Sequence, residues 1–343
     1  MAAVVPPAPM MAFQHSFGPG QFRVILAILV VLSHMSDIEI GRPAVFVFFM
    51  LSGYWVLRMY EEKYCPAASV GVFYLSRFMR IWLAFATAFL AAFLLLALTP
   101  LAKPAEMLWG LPLLGIATTK RDVLGTSWSL DIEMQFYLLV PVISLVLVWM
   151  GQSCARLIVL ATGVACLTIL GWWLQLSLGL WTLMSYLPPF MIGALIYHWR
   201  LRGTVRSAAM GVAAFLAVGA IVAMIPYLRP LLSREIDGPF HEDWFGMAWV
   251  TLLVPFVIWN LKQKSGPLDM HLGNYSYALY ITHWPIIAVM RAALRPVTLA
   301  EALLILVVIA VVSVAFYLTV DRGWESVRRK FISRLSSTAR ISV

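Results

Sequence analysis

Residues 22–34 read FRVILAILVVLSH, a run of Val, Ile, Leu, Ala and Ser interrupted only by Arg23 near its start and His34 at its end. On a helix rising about 1.5 Å per residue, those two side chains stand ~16 Å apart along the axis, about half of a ~30 Å hydrocarbon core. The separation is also about three turns, so both point to one side of the helix. A polar face on so apolar a helix looks onto the protein interior or a wet cavity, because a group turned to lipid loses its hydrogen bonds. The stretch therefore predicts a membrane protein whose first helix forms one wall of a polar interior.

Composition extends that reading to the whole chain. Of 343 residues, 62% are hydrophobic and 12% charged, with a mean hydropathy of +0.87. Soluble domains are roughly half apolar and a quarter charged, so a polytopic membrane protein is expected. The net charge of +9 does not imply nucleic acid, since the basic residues are scattered between apolar runs; a positive-inside topology accounts for them. Cys65, Cys154 and Cys166 lie far apart with no Cys-x-x-Cys or regular His spacing, so neither a disulfide framework nor a metal site is predicted. Residues 1–22 lack Lys and Arg, which argues against a cleaved signal peptide.

Hydropathy predicts an all-α chain of about ten transmembrane helices, near 23–36, 43–60, 75–99, 127–149, 156–176, 182–198, 207–227, 246–261, 273–292 and 300–320. Pro255 within the eighth predicts a tilted or broken helix. With the N-terminus placed inside, eight basic residues fall outside: Arg42, Lys103, Lys120, Arg121, Arg229, Arg234, Arg291 and Arg295. The other seventeen fall inside, which favours an N-in, C-in arrangement. One membrane domain, 1–343, is expected, with a short polar N-terminal segment at 1–20, a basic cytoplasmic tail at 321–343 and no fused extracytoplasmic domain. The outer loop RPLLSREIDGPFHEDW (229–244) mixes both charge signs, and the tail WESVRRKFISRLSSTAR (324–340) reads either as an amphipathic helix on the inner leaflet or as a solvated tail.

Several polar positions stand out within the apolar runs. His34 suits proton transfer near neutral pH, or else a hydrogen bond between helices. In GVFYLSRFMRIW (71–82), Arg77 and Arg80 share a helix face; two guanidiniums there could bind phosphate bidentately, although snorkelling anchors are the commoner case. In TSWSLDIEMQFYLLVPV (126–142), Asp131 and Glu133 fall on different faces, so they form no acid-base pair. Asp131 suits a helix cap, whereas Glu133 runs straight into the apolar body of its helix behind Trp128 and Ser129. LGNYSYALYITHWP (272–285) places His283 in another apolar run beside Ser276, Tyr277, Tyr280 and Thr282; the tyrosines suit an interfacial belt or a sugar-stacking surface, and Pro285 suits a bend. Ser52 and Gly53 in FVFFMLSGYWV (46–56) predict a close helix crossing.

Taken together, these segments resemble the membrane-bound acyltransferase family 3, which contains O-acetylases of O-antigen, exopolysaccharide and other glycans. The resemblance covers most of the chain and rests on five elements in the family's order: Arg23 with His34, FFMLSG at 48–53, Arg77 to Ile81, WSLDIEMQFY at 128–137 and LGNYSYALYITHWP at 272–285. It departs from many members in having no proline just beyond Ile81, where Leu83 stands. The resemblance implies a catalytic His34 with Glu133 as functional acid, and acyl-CoA binding by Arg23, Arg77 and Arg80. It leaves Trp128, Ser129, Tyr277 and His283 as substrate-binding or structural positions. It implies acetyl-CoA or another short acyl-CoA as donor substrate, no permanently bound cofactor, a glycan or lipid-linked saccharide acceptor, and the bacterial cytoplasmic membrane as location. Membrane lipid and a second copy of the chain are the other expected partners. His34, oriented by Glu133, would either deprotonate the acceptor hydroxyl or carry the acyl group transiently. Buried His, Glu and Arg in ten spans also suit a transporter or flippase for a polar or lipid-linked sugar, and the acceptor could instead be a small-molecule glycoside.

Overall fold

A computed structural model describes residues 17–67, 69–233, 242–294 and 298–341. Most of the N-terminal segment, the central part of the 229–244 loop with Arg234, and Arg295 lie outside the described residues. Among those described, the regular elements are helices: α1 (Pro19–Met35), α2 (Gly41–Met59), α3 (Val70–Ala97), α4 (Ile116–Thr119), α5 (Ser127–Met150), α6 (Cys154–Leu178), α7 (Leu187–His198), α8 (Val205–Met224), α9 (Glu242–Val250), α10 (Val254–Asn260), α11 (Pro267–Ala293), α12 (Leu299–Phe316) and α13 (Arg322–Ile341). An isolated bridge between Ile38 and Ser233 is the only β pairing among them.

Each of the ten predicted segments coincides with helix, and seven helical stretches among the described residues are long and apolar enough to cross a membrane. The other three differ for physical reasons. Helices α1 and α7 span only 17 and 12 residues. Helix α11 is long enough at 27 residues, but Asp269, His271, Asn274 and His283 make it too polar. That polarity is what equips it for the centre of the protein.

α1 and α11 run in the same direction, pressed together along their lengths. At one end Gly20 lies so close to the Asp269 carbonyl that a side chain would collide with it; at the other, the His34 ring lies 5.3 Å from that of His283 and 4.8 Å from that of Trp284. The first N–H groups of a helix lack intrahelical partners, and here Asp269 supplies them, accepting from Gly20 N at 3.1 Å and Gln21 N at 2.8 Å. Its carboxylate thus ties the start of α11 to the start of α1.

The predicted close crossing at Gly53 joins α2 to α7. A Cβ on Gly53 would strike the carbonyl of Phe190, and one on Gly193 would strike that of Met50, so the missing side chains let two backbones touch. The eighth segment is broken as predicted: α9 gives way to one 3-10 turn, Thr251–Leu253, and Pro255 sits in the first turn of α10, where its missing N–H costs nothing.

The tail is helical, as the amphipathic reading expects, and it also packs against the protein. After α12 a π segment, Tyr317–Asp321, leads straight into α13, which packs across α3. Arg328 Nη1 donates to Ser76 Oγ at 2.7 Å, Trp324 Nε1 donates to Thr87 Oγ1 at 3.0 Å, and Ile332 is buried. The tail has apolar and hydrogen-bonding side chains on one face, and α3 accepts them.

Candidate functional site

Two cavities follow one another along α1. The first, about 200 Å³, is lined by Arg23, Ser52, Arg77, Arg80, Glu133, Tyr137, Asn274 and Tyr277 among others. The second, about 480 Å³, lies at the His34 end and is lined by Glu39, Arg42, Lys120, Asp122, Trp128 and Trp181 besides His34. Val45 and Tyr280 line both. The helical spacing of Arg23 and His34 thus places one in each chamber.

The three arginines of the first chamber are not equivalent. Arg80 Nη1 donates to Asp321 Oδ1 at 2.9 Å, its Nη2 donates to Asn274 Oδ1 at 3.4 Å, and its guanidinium lies 5.5 Å from the Tyr277 ring centroid. It is an ion pair with a carboxylate only 3% exposed. The π segment turns Asp321 toward it, the kind of local irregularity that often marks functional positions. In Arg23 and Arg77, by contrast, the Nε atoms are buried and have no hydrogen-bond partner among the described residues. A buried donor without a partner is costly, and an anionic ligand would satisfy both.

Glu133 belongs to this chamber. Its Oε1 accepts from Ser52 Oγ at 2.6 Å and from Tyr137 Oη at 2.7 Å, and its charge acts on Arg23. The expected orientation of His34 by Glu133 is therefore not formed: Glu133 enters from α5, six positions beyond Ser127, and reaches the arginines instead. His34 lies beside the rings of His283 and Trp284. His283 is fully buried, with Nδ1 3.2 Å from the Leu279 carbonyl and no partner for Nε2 among the described residues.

Asp131 caps a different helix from the one expected. It lies inside α5, where its Oδ2 accepts from Ala117 N at 2.9 Å and so holds the first turn of α4. The start of α5 is fixed by Asp122, which accepts from the backbone N–H groups of Leu124, Gly125 and Ser127 and from Ser127 Oγ. Burial pushes the Asp122 carboxyl above its usual pKa, while those four hydrogen bonds pull it down. The same loop passes Gly125, whose positive φ of 70° and contact with the Trp284 ring exclude a side chain. Its sequence, DVLGTS, carries a legible turn signal of Asp, Gly and Ser.

Trp128 faces the second chamber, Ser129 and Tyr277 the first. Ser129 Oγ lies 2.7 Å from Tyr280 Oη, and Tyr277 Oη donates to the Ile81 carbonyl at 2.8 Å, so these tyrosines serve the interior and not a lipid belt. Arg42, predicted only as an outer charge, forms a 2.7 Å ion pair with buried Asp243 and lies 5.9 Å from the Trp128 ring and 5.7 Å from the Trp181 ring. Asp321, Arg42 and Trp181 are site residues that no local pattern announces, and Asn274 falls within the LGNYSYALYITHWP element without standing out in it.

No curated protein and no solved structure matches the chain. A family model described as an acyltransferase domain, that of acyltransferase family 3, matches residues 19–318. The match runs from the start of α1 into the π segment and takes in both chambers: this multi-pass, all-helical chain belongs to the membrane-bound acyltransferase family 3.

Proposed function

We propose that the protein is a ten-span O-acyltransferase of the bacterial cytoplasmic membrane, with both ends cytoplasmic, that moves an acetyl group from acetyl-CoA to a hydroxyl of a cell-surface or exported glycan. The observation that carries this reading is the division of chemistry between the chambers: unpartnered guanidinium nitrogens in one, His34 in the next, and only Val45 and Tyr280 common to both. Arg23 and Arg77 suit the phosphates of coenzyme A. The ~16 Å from Arg23 to His34 is of the order of the pantetheine arm, which would place the thioester near the histidine. Glu133 lines the same chamber as Arg23 and Arg77, and Asp321 neutralises Arg80, so the chamber holds fewer uncompensated cations than its three arginines suggest.

The acceptor enters the His34 chamber, where Trp128 and Trp181 offer the aromatic surfaces that sugars favour. His34 takes the proton from the acceptor hydroxyl as its oxygen attacks the thioester carbonyl. The new C–O bond forms, the C–S bond breaks, and the proton passes from the imidazolium to the departing coenzyme A thiolate. The bookkeeping closes with an ester and a free thiol, and no other reactant is consumed.

Washed membranes holding the protein, incubated with acetyl-CoA labelled in the acetyl group, test the reading. Label passing to a glycan fraction, released again by mild base as an ester requires, is the expected result. Movement of a sugar across the membrane without label transfer would overturn it in favour of a transporter.

A further inference from the structure

His283 is the buried polar side chain that the mechanism above does not use. Its Nδ1 lies 3.2 Å from the Leu279 carbonyl. A carbonyl oxygen only accepts, so Nδ1 carries the proton and Nε2 of the neutral imidazole is a bare lone pair. That lone pair is buried and has no hydrogen-bond partner among the described residues. His34 lines the second chamber and His283 does not, although the two rings stand 5.3 Å apart at their centroids. A ring nitrogen sits about 1.1 Å from its centroid, so two nitrogens facing one another across this gap reach a hydrogen-bond distance of about 3 Å. The pair rests on rigid elements, since Ala27 and Val31 of α1 pack in one cluster with Leu279, Ile286 and Ile287 of α11. Rotation of the His34 ring about χ2 is the soft motion left.

We infer that His283 is a positioning residue whose Nε2 receives an N–H of His34 once His34 has taken the acceptor's proton, an assignment that rests on the acyltransferase reading above. A general base of this kind is held by a third group on its far side. The imidazolium that forms during transfer carries an N–H on each nitrogen, one toward the reacting atoms and one toward His283. The orphaned lone pair is thus satisfied in the charged state and unsatisfied in the resting one, so the hydrogen bond acts on kcat and not on substrate binding. No proton passes to His283. The proton goes from the acceptor hydroxyl to His34 and on to the coenzyme A thiolate, and His283 stays neutral throughout, which spares the buried site a second charge.

Three variants of the full-length protein separate this role from a structural one. His283→Phe keeps a ring and removes the acceptor, His283→Gln keeps an acceptor oxygen near the Nε2 position, and His283→Asn ends its amide near the Nδ1 position. Each is assayed with labelled acetyl-CoA in membranes of the producing strain, which supply the acceptor, and kcat is taken per folded protein. His283→Phe is expected to lower kcat by about tenfold to a hundredfold, the range for a hydrogen bond to a charged group, with donor and acceptor KM unchanged. Its thermal midpoint in detergent is expected to hold or rise, because a buried acceptor without a partner is destabilising. His283→Gln is expected to recover most of kcat, and His283→Asn to behave as His283→Phe and to stand in for it if that variant does not fold. Wild-type kcat in His283→Phe or His283→Asn, a rise in KM in place of the fall in kcat, or a His283→Gln variant no faster than the other two overturns the assignment. Loss of folding in all three overturns it in favour of a structural histidine. Failure of the wild type to transfer label from acetyl-CoA overturns the acyltransferase reading itself.

Discussion

The two chambers lie on the same helix yet are built on opposite principles. In the His34 chamber three charged residues are knitted into the protein, Arg42 to Asp243, Asp122 to the start of α5, and Glu39 to the backbone of Arg42 at 3.1 Å, while Lys120 lies 5.9 Å from the Trp181 ring centroid. In the arginine chamber two cations keep buried donor atoms without partners. A preorganised, internally satisfied site suits a reaction that needs a fixed geometry, whereas an unsatisfied one suits a ligand that brings the missing charge. The contrast teaches that unpartnered charge, more than the presence of charge, separates a binding position from a structural one. It also divides the Arg-x-x-Arg pair, for Arg77 is open to a ligand while Arg80 is spent on Asp321.

That contrast can be broken at several points. His34→Ala is expected to lower kcat by about 10²–10⁴-fold, the range of general-base contributions, while coenzyme A affinity by isothermal titration stays near wild type. A parallel loss of affinity would show that the chambers do not divide the work. Asp321→Asn removes the nearer carboxylate from Arg80 and leaves Glu325 at 4.0 Å, a loss of about 1.5–3 kcal/mol for a hydrogen bond between charged groups. Thermal unfolding in detergent is expected to report that loss, and an unchanged midpoint would mean Arg80 is not structurally committed. Arg77→Ala is expected to weaken acetyl-CoA binding by about 1.5–3 kcal/mol, the worth of hydrogen bonds to a charged group, with little effect on unfolding. A fall in stability comparable to that of Asp321→Asn would erase the distinction between the two arginines. Trp181→Ala, the smallest effect, is expected to raise the acceptor KM by about 0.5–1.5 kcal/mol, leaving donor binding unaltered. A change in donor binding there would mean that Trp181 acts on the donor and not on the acceptor.

Much of the architecture was legible before any coordinates. Helix positions follow from apolar runs that few other structures tolerate, the break in the eighth from Pro255, and the α2–α7 crossing from Gly53. Arg23, Arg77, Glu133 and Tyr277 were recognisable as polar residues in apolar surroundings, and they do share a chamber. What they meet was not legible. Arg80 pairs with a carboxylate 241 positions away, Asp269 caps a helix nearly 250 positions earlier, and Arg42 finds Asp243 across 201. Local pattern contains no trace of such pairings, because each partner fits a different local role: Asp321 as the end of a span, Asp269 as a helix-start carboxylate, Arg42 as an outer charge.

The sequence by itself determined that this chain is an all-helical membrane protein and that Arg23 and His34 share a face, because hydropathy and helical period are properties of consecutive residues. Only the tertiary structure decided which charges remain unpaired, that Glu133 joins the arginines and not His34, and that Val45 and Tyr280 line both chambers. Those outcomes depend on which helices pack side by side and at what depth, and a hydrogen bond or a cavity exists only once distant segments are within a few ångströms of one another.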